Sequence, residues 1–107
     1  MKLIHPSGSF SGNSSMSDQY GGKCLWLIQI QDNQVVLEIN YMNISSTDYI
    51  KVYDGYTQSS PLLLDKTFGF GPLLPILSSG RNVLIEFVSK STFSEFNATY
   101  NTVSVEW

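Results

Sequence analysis

Hydrophobic and polar positions alternate along most of the chain with a period of two residues, which is the period of a β-strand. The segment 34–41 is the clearest case, and its apolar face carries Val35, Leu37, Ile39 and Tyr41. A run at 24–30, apolar except for Gln29, contains aromatic and β-branched residues and lies between the turn signals Gly21-Gly22 and Asp32-Asn33. The first segment therefore predicts a half-buried strand, and the second predicts a buried one.

Later segments repeat this alternation. The same period recurs in residues 48–53, 82–89 and 96–105. Two short apolar pieces, 61–64 and 75–77, each begin with a proline, which cannot donate to a central ladder and suits the start or the edge of a strand. No segment has the three-and-four apolar spacing of a helix, and turn signals such as Asp54-Gly55 recur regularly. The chain is thus predicted to be all-β, an antiparallel sandwich of two sheets.

The composition limits the size and the partners of this domain. A chain of 107 residues has room for one compact domain, and its 42% of hydrophobic residues suffice for a core. The net charge of -3 comes without a run of like charges, so we expect no binding to nucleic acid. No apolar stretch approaches the length of a spanning helix, so we expect no membrane insertion. The first residues, 1–12, lack the apolar run of a signal peptide, and we expect the domain to be cut from a longer chain.

Three N-glycosylation acceptor patterns point to the secretory pathway. They are Asn13-Ser14-Ser15, Asn43-Ile44-Ser45 and Asn97-Ala98-Thr99. A chain rich in Ser, Thr and Asn also produces such triplets by chance, so an unmodified chain is the alternative. The single cysteine, Cys24, excludes an intrachain disulfide and does not itself identify the redox compartment. We predict an extracellular location, in a secreted protein or in the ectodomain of a membrane protein.

Several pieces of the sequence, taken in order, resemble the pattern of the CUB domain family. They are Ser7-Gly8-Ser9-Phe10, Cys24-Leu25-Trp26-Leu27-Ile28, residues 48–55, Pro61-Leu62-Leu63, Phe68-Gly69, Ser78-Ser79-Gly80, residues 83–89 and Phe96-Asn97-Ala98-Thr99-Tyr100. Each piece alone is weak, but together they cover nearly the whole chain. The resemblance implies one CUB-like domain over residues 1–107, folded as a jelly-roll-like sandwich that binds other extracellular proteins through loops at one edge.

The same resemblance, together with the alternation, assigns several side chains to the core. Trp26 is expected to be a core aromatic on the strand that carries Cys24. Along the closing strand, the inward positions are Phe96, Ala98 and Tyr100, and the outward positions are Asn97 and Thr99. An outward Asn97 is able to accept a glycan.

The chain departs from the family first in its cysteines. The family usually carries two disulfides, and by its usual spacing the partner of Cys24 falls just upstream of Met1. Cys24 is therefore expected either to be a buried thiol that packs as a small hydrophobe or to pair with a cysteine outside this sequence. The second disulfide has no counterpart, because Phe68 stands at one of its positions and Ser45-Ser46 at the other. Apolar packing is expected to replace it in part.

The second departure concerns calcium, which many CUB domains bind through three carboxylates beside the loops that contact a partner's lysine or arginine. Asp48 matches one of these acids and is the only clear candidate ligand, because the other two positions fall at 43–45 and at Ser89-Lys90. Calcium prefers about six to eight oxygen ligands with several carboxylates. We therefore predict that no cofactor is bound and that the Lys90 ammonium pairs with Asp48 in place of the ion. A solvated surface pair and calcium-dependent binding are the alternatives.

Catalysis is not predicted for this chain. His5 is the only histidine and lies in a weakly anchored N-terminal arm, which supports neither a zinc site nor a Ser-His-Asp arrangement. Glu38 and Glu86 are interpreted as outward strand positions rather than as a catalytic pair of carboxylates. The glycines within 69–72 lack the lysine and the following helix of a phosphate-binding loop.

The sequence therefore predicts a non-catalytic module that recognises another extracellular or cell-surface protein. The residues expected to contact that partner are Asp48, Tyr53, Asp54 and Lys90. One alternative is a jelly-roll carbohydrate-binding module, in which exposed aromatic rings stack on glycans. Its candidate rings are Tyr49, Tyr53 and Tyr56. A glycosylated spacer that binds nothing specific is a further alternative.

Overall fold

The computed structural model describes residues 2–13, 23–31, 34–66, 69–90 and 94–103. Within these ranges the chain forms ten β-strands and no helix. Their bounds are β1 Lys2–Leu3, β2 Gly8–Asn13, β3 Lys23–Gln29, β4 Gln34–Ile44, β5 Tyr49–Tyr53, β6 Leu62–Lys66, β7 Gly69–Phe70, β8 Ile76–Leu77, β9 Asn82–Val88 and β10 Glu95–Val103. The described part of the chain has no helix long and apolar enough to cross a bilayer.

The strands form two sheets that pack face to face. Sheet A has the strand order β1-β3-β9-β5-β6, and sheet B has the order β2-β10-β4-β7, with β8 also paired to β4. Neighbouring strands run antiparallel except β1, which pairs with β3 in parallel. The predicted all-β sandwich of two sheets is therefore confirmed. The two proline-led pieces are also as predicted, since β6 is the edge strand of sheet A and β8 is a two-residue strand.

Side chains from the inner faces of both sheets form one hydrophobic core. At one place in it four aromatic rings contact one another, Phe10, Trp26, Phe87 and Phe96, with ring centroids 5.2 to 5.9 Å apart. The predicted core position of Trp26 is confirmed, because only 3% of its surface is exposed. Burial of each such ring stabilises the fold by roughly 1.5–3 kcal/mol, and tilted or edge-to-face pairs add about 0.5–1.5 kcal/mol.

The aromatic cluster needs a glycine beside it. Gly12 on β2 lies directly against the rings, and a Cβ at this position would be 2.6 Å from Cε1 of Phe96 and 2.9 Å from Cη2 of Trp26. Both distances are shorter than atoms in a packed core can adopt. A side chain at position 12 is therefore excluded by packing unless the rings move.

The alternation along β10 is as predicted, but the alternation along β4 shifts. Ala98 is opposite Ile39, whereas Asn97 is opposite Tyr41, so Asn40 is an additional residue in a β-bulge. The bulge turns Tyr41 outward, where 41% of its surface is exposed. The predicted inward position of Tyr41 is therefore wrong, and Met42 occupies the core instead.

Candidate functional site

Strand pairing brings three connecting segments together at one end of the sandwich. In sheet A, Tyr49 at the start of β5 pairs with Val88 at the end of β9. In sheet B, Asn43 near the end of β4 pairs with Glu95 at the start of β10. The segments that meet are residues 45–48, 89–90 and 94, and we call them the Asp48 loop cluster.

The centre of this cluster is a buried carboxylate, since only 1% of the Asp48 surface is exposed. Oδ1 accepts hydrogen bonds from the Lys90 main-chain N–H at 2.7 Å and from Thr47 Oγ1 at 3.0 Å. Oδ2 accepts from Ser89 Oγ at 3.1 Å and from the Ser94 hydroxyl. A buried carboxylate is costly unless hydrogen bonds replace its hydration. These donors supply that replacement, and they come from three separate segments of the chain.

The Ser94 hydroxyl also connects the two sheets, and only 1% of the Ser94 surface is exposed. It accepts from the Ser45 main-chain N–H at 2.9 Å while it donates to Asp48. The Asp48 N–H in turn donates to the Ser45 carbonyl oxygen at 3.0 Å. Ser45, at one predicted position of the missing disulfide, is thus held by hydrogen bonds. Phe68, at the other position, lies outside the described residues.

Lys90 is beside Asp48, but its contact differs from the expected one. The donor to Asp48 is the Lys90 main-chain N–H, while the Lys90 side chain is exposed. The expectation that the Lys90 ammonium pairs with this carboxylate is therefore corrected. The physical reason is that hydroxyl and N–H groups with little hydration to lose already surround the buried carboxylate, whereas an ammonium would have to give up its hydration.

The donor set around Asp48 does not fit calcium. A calcium ion needs oxygen lone pairs directed at it, usually from several carboxylates. Here O–H and N–H groups donate to both oxygens of Asp48. Within the described ranges no group of three His, Cys, Asp or Glu side chains is placed to hold a metal ion.

Tyr53 and Asp54 lie at the opposite end of β5 from Asp48, about 16 to 20 Å away at the rise of a β-strand. Only 7% of the Tyr53 surface is exposed. Asp54 Oδ1 accepts from the Ser79 main-chain N–H at 3.0 Å, which joins the end of β5 to the segment between β8 and β9. The four residues predicted to contact a partner therefore lie at two separate places on the domain. Asp48 and Lys90 are together at one end of β5, and Tyr53 and Asp54 are at the other.

A second carboxylate is buried on the outer side of sheet A. Glu86 accepts hydrogen bonds from the Tyr49 hydroxyl at 2.5 Å, from Gln58 Nε2 at 2.5 Å and from the Tyr53 hydroxyl at 3.3 Å. Its side chain faces away from the sandwich core, as predicted, but is only 3% exposed. The expectation of a simple outward position is thus incomplete, because the side chains on β5 and residue 58 cover it.

Burial by itself raises the pKa of the Glu86 carboxyl. This effect is outweighed by hydrogen bonds from Tyr49 and Gln58, by the nearby charge of Lys23 and by a hydrogen bond from Tyr53. The pKa of Glu86 therefore lies below its usual value. Sequence reasoning missed this cluster. The one available signal was that Tyr49 and Tyr53 share a strand face, and recognising it would require the pairing of β5 with β9.

The other predicted positions are scattered over the domain. Of the three candidate stacking rings, Tyr49 is half-buried, Tyr53 is buried and Tyr56 is 66% exposed. Only one of these three rings is therefore open to solvent, and they do not form a row. Cys24 is half-buried on β3, and burial raises the pKa of its thiol. His5 is exposed, and its carbonyl oxygen accepts from the Tyr100 hydroxyl at 3.0 Å.

Comparison with known proteins agrees with this architecture. A family model described as CUB domain matches residues 2–100. Embryonic protein UVS.2 of Xenopus laevis is 36% identical over an alignment of 101 positions that covers 87% of this chain and 20% of that protein. Astacin-like metalloendopeptidase of Gallus gallus is 34% identical over an alignment of 90 positions that covers 78% of this chain and 22% of that protein.

A human relative is named as an enhancer of a peptidase rather than as a peptidase. Procollagen C-endopeptidase enhancer 2 of Homo sapiens is 30% identical over an alignment of 95 positions that covers 81% of this chain and 23% of that protein. The chain thus spans about a fifth of the length of these three relatives.

Proposed function

Since the chain belongs to the CUB domain family, we propose that it is a non-catalytic recognition module of an extracellular protein and that its Asp48 loop cluster binds another protein without calcium. The family commonly mediates protein–protein interaction in extracellular proteins. Any catalysis in a longer parent protein belongs to other domains.

The observation that carries this proposal is the hydrogen-bonded state of Asp48. Its carboxylate already holds residues 45–48, 89–90 and 94 in one arrangement through hydroxyl and N–H donors. Loops that are ordered before binding lose less conformational freedom when a partner docks. An ion is therefore not needed to organise this end of the domain.

The exposed groups of the cluster suggest the chemistry of the partner. The side chains of Ser46, Thr47 and Lys90 are exposed around the buried Asp48. This arrangement presents one cation and several hydroxyls, and the negative charge is enclosed beneath them. We propose that the partner contributes an acidic or carbonyl-rich surface to Lys90, because complementary charge favours encounter and orientation.

The relatives agree with a protein partner. One of them is named as an enhancer of a procollagen C-endopeptidase, and another is named as a metalloendopeptidase. Both names describe chains several times longer than this one. A module that positions a protein substrate or a protein enzyme is consistent with both.

The test uses the chain as a multivalent fusion, applied to an array of recombinant extracellular domains in buffer that contains a chelator. We expect at least one binder, a strong loss of its signal for Lys90→Glu and a smaller loss for Lys90→Ala. Lys2→Ala is the matched control, since Lys2 is also exposed and pairs with Leu27 away from the Asp48 loop cluster. Binding that disappears in chelator, or that is equally sensitive to both lysines, would contradict the proposal.

A further inference from the structure

The three glycosylation acceptor residues converge on one corner of sheet B. Strand β10 lies between β2 and β4, and Glu95 on β10 is opposite Asn13 on one side and Asn43 on the other. Asn97 is two residues farther along β10, on the same face as Glu95. With adjacent strands about 4.8 Å apart, Asn13 and Asn43 are about 10 Å from each other.

The fold directs all three asparagines outward. In two of the acceptor patterns the middle residues, Ile44 and Ala98, are in the core with 1% of their surface exposed. Since neighbouring residues of a strand point to opposite faces, Asn43 and Asn97 must point away from the core. Asn13 and Asn97 are exposed and Asn43 is half-buried.

The outer face of sheet B is largely polar around the three asparagines. It carries short hydroxyl and amide side chains, including Ser9, Ser11, Asn97, Thr99 and Asn101. Three larger apolar side chains are also exposed on this face, at 40 to 54% of their surface, Tyr41, Leu77 and Val103. Because Tyr41 pairs directly with Asn97, a glycan on Asn97 would cover an exposed aromatic ring as well as the polar groups around it.

We propose that Asn13, Asn43 and Asn97 carry N-linked glycans that together cover the outer face of sheet B beside the Asp48 loop cluster. A protein partner then reaches the cluster from the side of sheet A, where Lys90 follows β9. This inference rests on the proposed function in one respect, since attachment requires that the chain enter the secretory pathway.

The chemistry of attachment is a group transfer at each asparagine. The side-chain Nδ2 loses one proton and forms a bond to the anomeric carbon of an oligosaccharide. The bond between that carbon and its lipid-linked pyrophosphate breaks, and the pyrophosphate leaves with the electron pair. The host transferase and a lipid-linked oligosaccharide supply the reaction, and no oxidant or reductant takes part.

The test is to secrete the chain from a mammalian cell line and measure its mass before and after enzymatic removal of N-glycans. We expect the loss of three glycans, located at Asn13, Asn43 and Asn97 by the conversion of each asparagine to aspartate. Single Asn→Gln variants should each carry one glycan fewer. If a variant is not secreted, the asparagine-to-aspartate conversions in the wild-type protein still show which positions carried a glycan.

Hydroxyl-radical labelling tests whether the glycans cover this face. Tyr41 is 41% exposed and pairs directly with Asn97, whereas Tyr56 is 66% exposed in the turn after β5. Removal of the glycans should increase the labelling of Tyr41 severalfold and leave that of Tyr56 unchanged. A secreted protein that lacks a glycan at any of the three positions, or in which Tyr41 is labelled equally before and after removal, overturns the proposal.

The two proposals fail in different ways. If no glycans are attached but chelator-resistant binding still depends on Lys90, only the glycan proposal is wrong. If three glycans cover Tyr41 but no binding depends on Lys90, glycan coverage stands and the proposed recognition site is wrong.

Discussion

The Ser94 hydroxyl donates to Oδ2 of Asp48 across a sequence separation of 46 residues and so joins the start of β10 in sheet B to the start of β5 in sheet A. The same hydroxyl accepts from the Ser45 N–H, and one side chain thereby satisfies two groups of the 45–48 loop. A single oxygen atom thus connects the two layers at the end of the sandwich where recognition is proposed.

Ser94→Ala should lower the free energy of unfolding by about 1–3 kcal/mol, because it deprives a buried carboxylate of a donor and a main-chain N–H of its acceptor. Urea denaturation of the purified domain measures this change. Ser46→Ala is the matched control, since Ser46 lies in the same loop cluster but is exposed. A loss for Ser94→Ala no greater than that for the control would show that the hydroxyl does not connect the loops.

Glu86→Gln should lower the free energy of unfolding at neutral pH by about 1–3 kcal/mol, because an amide cannot accept from all three donors that surround the carboxylate. Its effect should also depend on pH. The pKa of Glu86 is lowered in the folded state, so between the folded and unfolded pKa values the unfolded state binds more protons. The stability that Glu86 contributes is thus fully present above its unfolded pKa and is lost as the pH falls through the folded pKa.

Comparison of wild type with Glu86→Gln at pH 7 and at about pH 3 isolates this contribution, since other carboxylates titrate equally in both proteins. The stability difference should be larger at pH 7. Glu95→Gln is the control, because Glu95 is exposed on the outer face of sheet B. A difference that is constant with pH would mean that the charge of Glu86 does not contribute to stability.

Gly12→Ala should destabilise the domain by about 1–3 kcal/mol through overpacking against Phe96 and Trp26. Gly80→Ala provides a matched comparison, since a Cβ at Gly80 would meet no atom within 4 Å. Thermal unfolding followed by tryptophan fluorescence reports the change, because Trp26 lies in the affected cluster. Equal midpoints for the two variants would contradict the packing described here.

Strand alternation was sufficient to predict the two-sheet fold, because alternation depends only on local sequence and on the existence of one core. The bulge at Asn40 was not predictable in this way, since it arises from the pairing of β4 with β10 and has no local signal. Tyr41 was consequently placed on the wrong face. The pairing of β9 with its neighbour β5 is also what buries Glu86, and no sequence pattern along β9 indicates this burial.

The site was predictable in part for a similar reason. The resemblance to the CUB family placed Asp48 and Lys90 in one region, and the structure brings them together. Which atoms make the contact depends on Ser89 and Ser94, whose hydroxyls reach Asp48 only after both sheets have formed. Tyr53 and Asp54 are predicted to lie in the same partner-binding region as Asp48, but the extended strand β5 separates them from it.

The central claim is that hydrogen bonds to Asp48, and not calcium, organise the recognition loops. The most direct measurement is the thermal midpoint of the purified domain in millimolar calcium and again in chelator, because an ion that binds only the native state must raise the midpoint. The account predicts the same midpoint in both solutions. A rise of several degrees in calcium would contradict it and would assign the organisation of these loops to a bound ion.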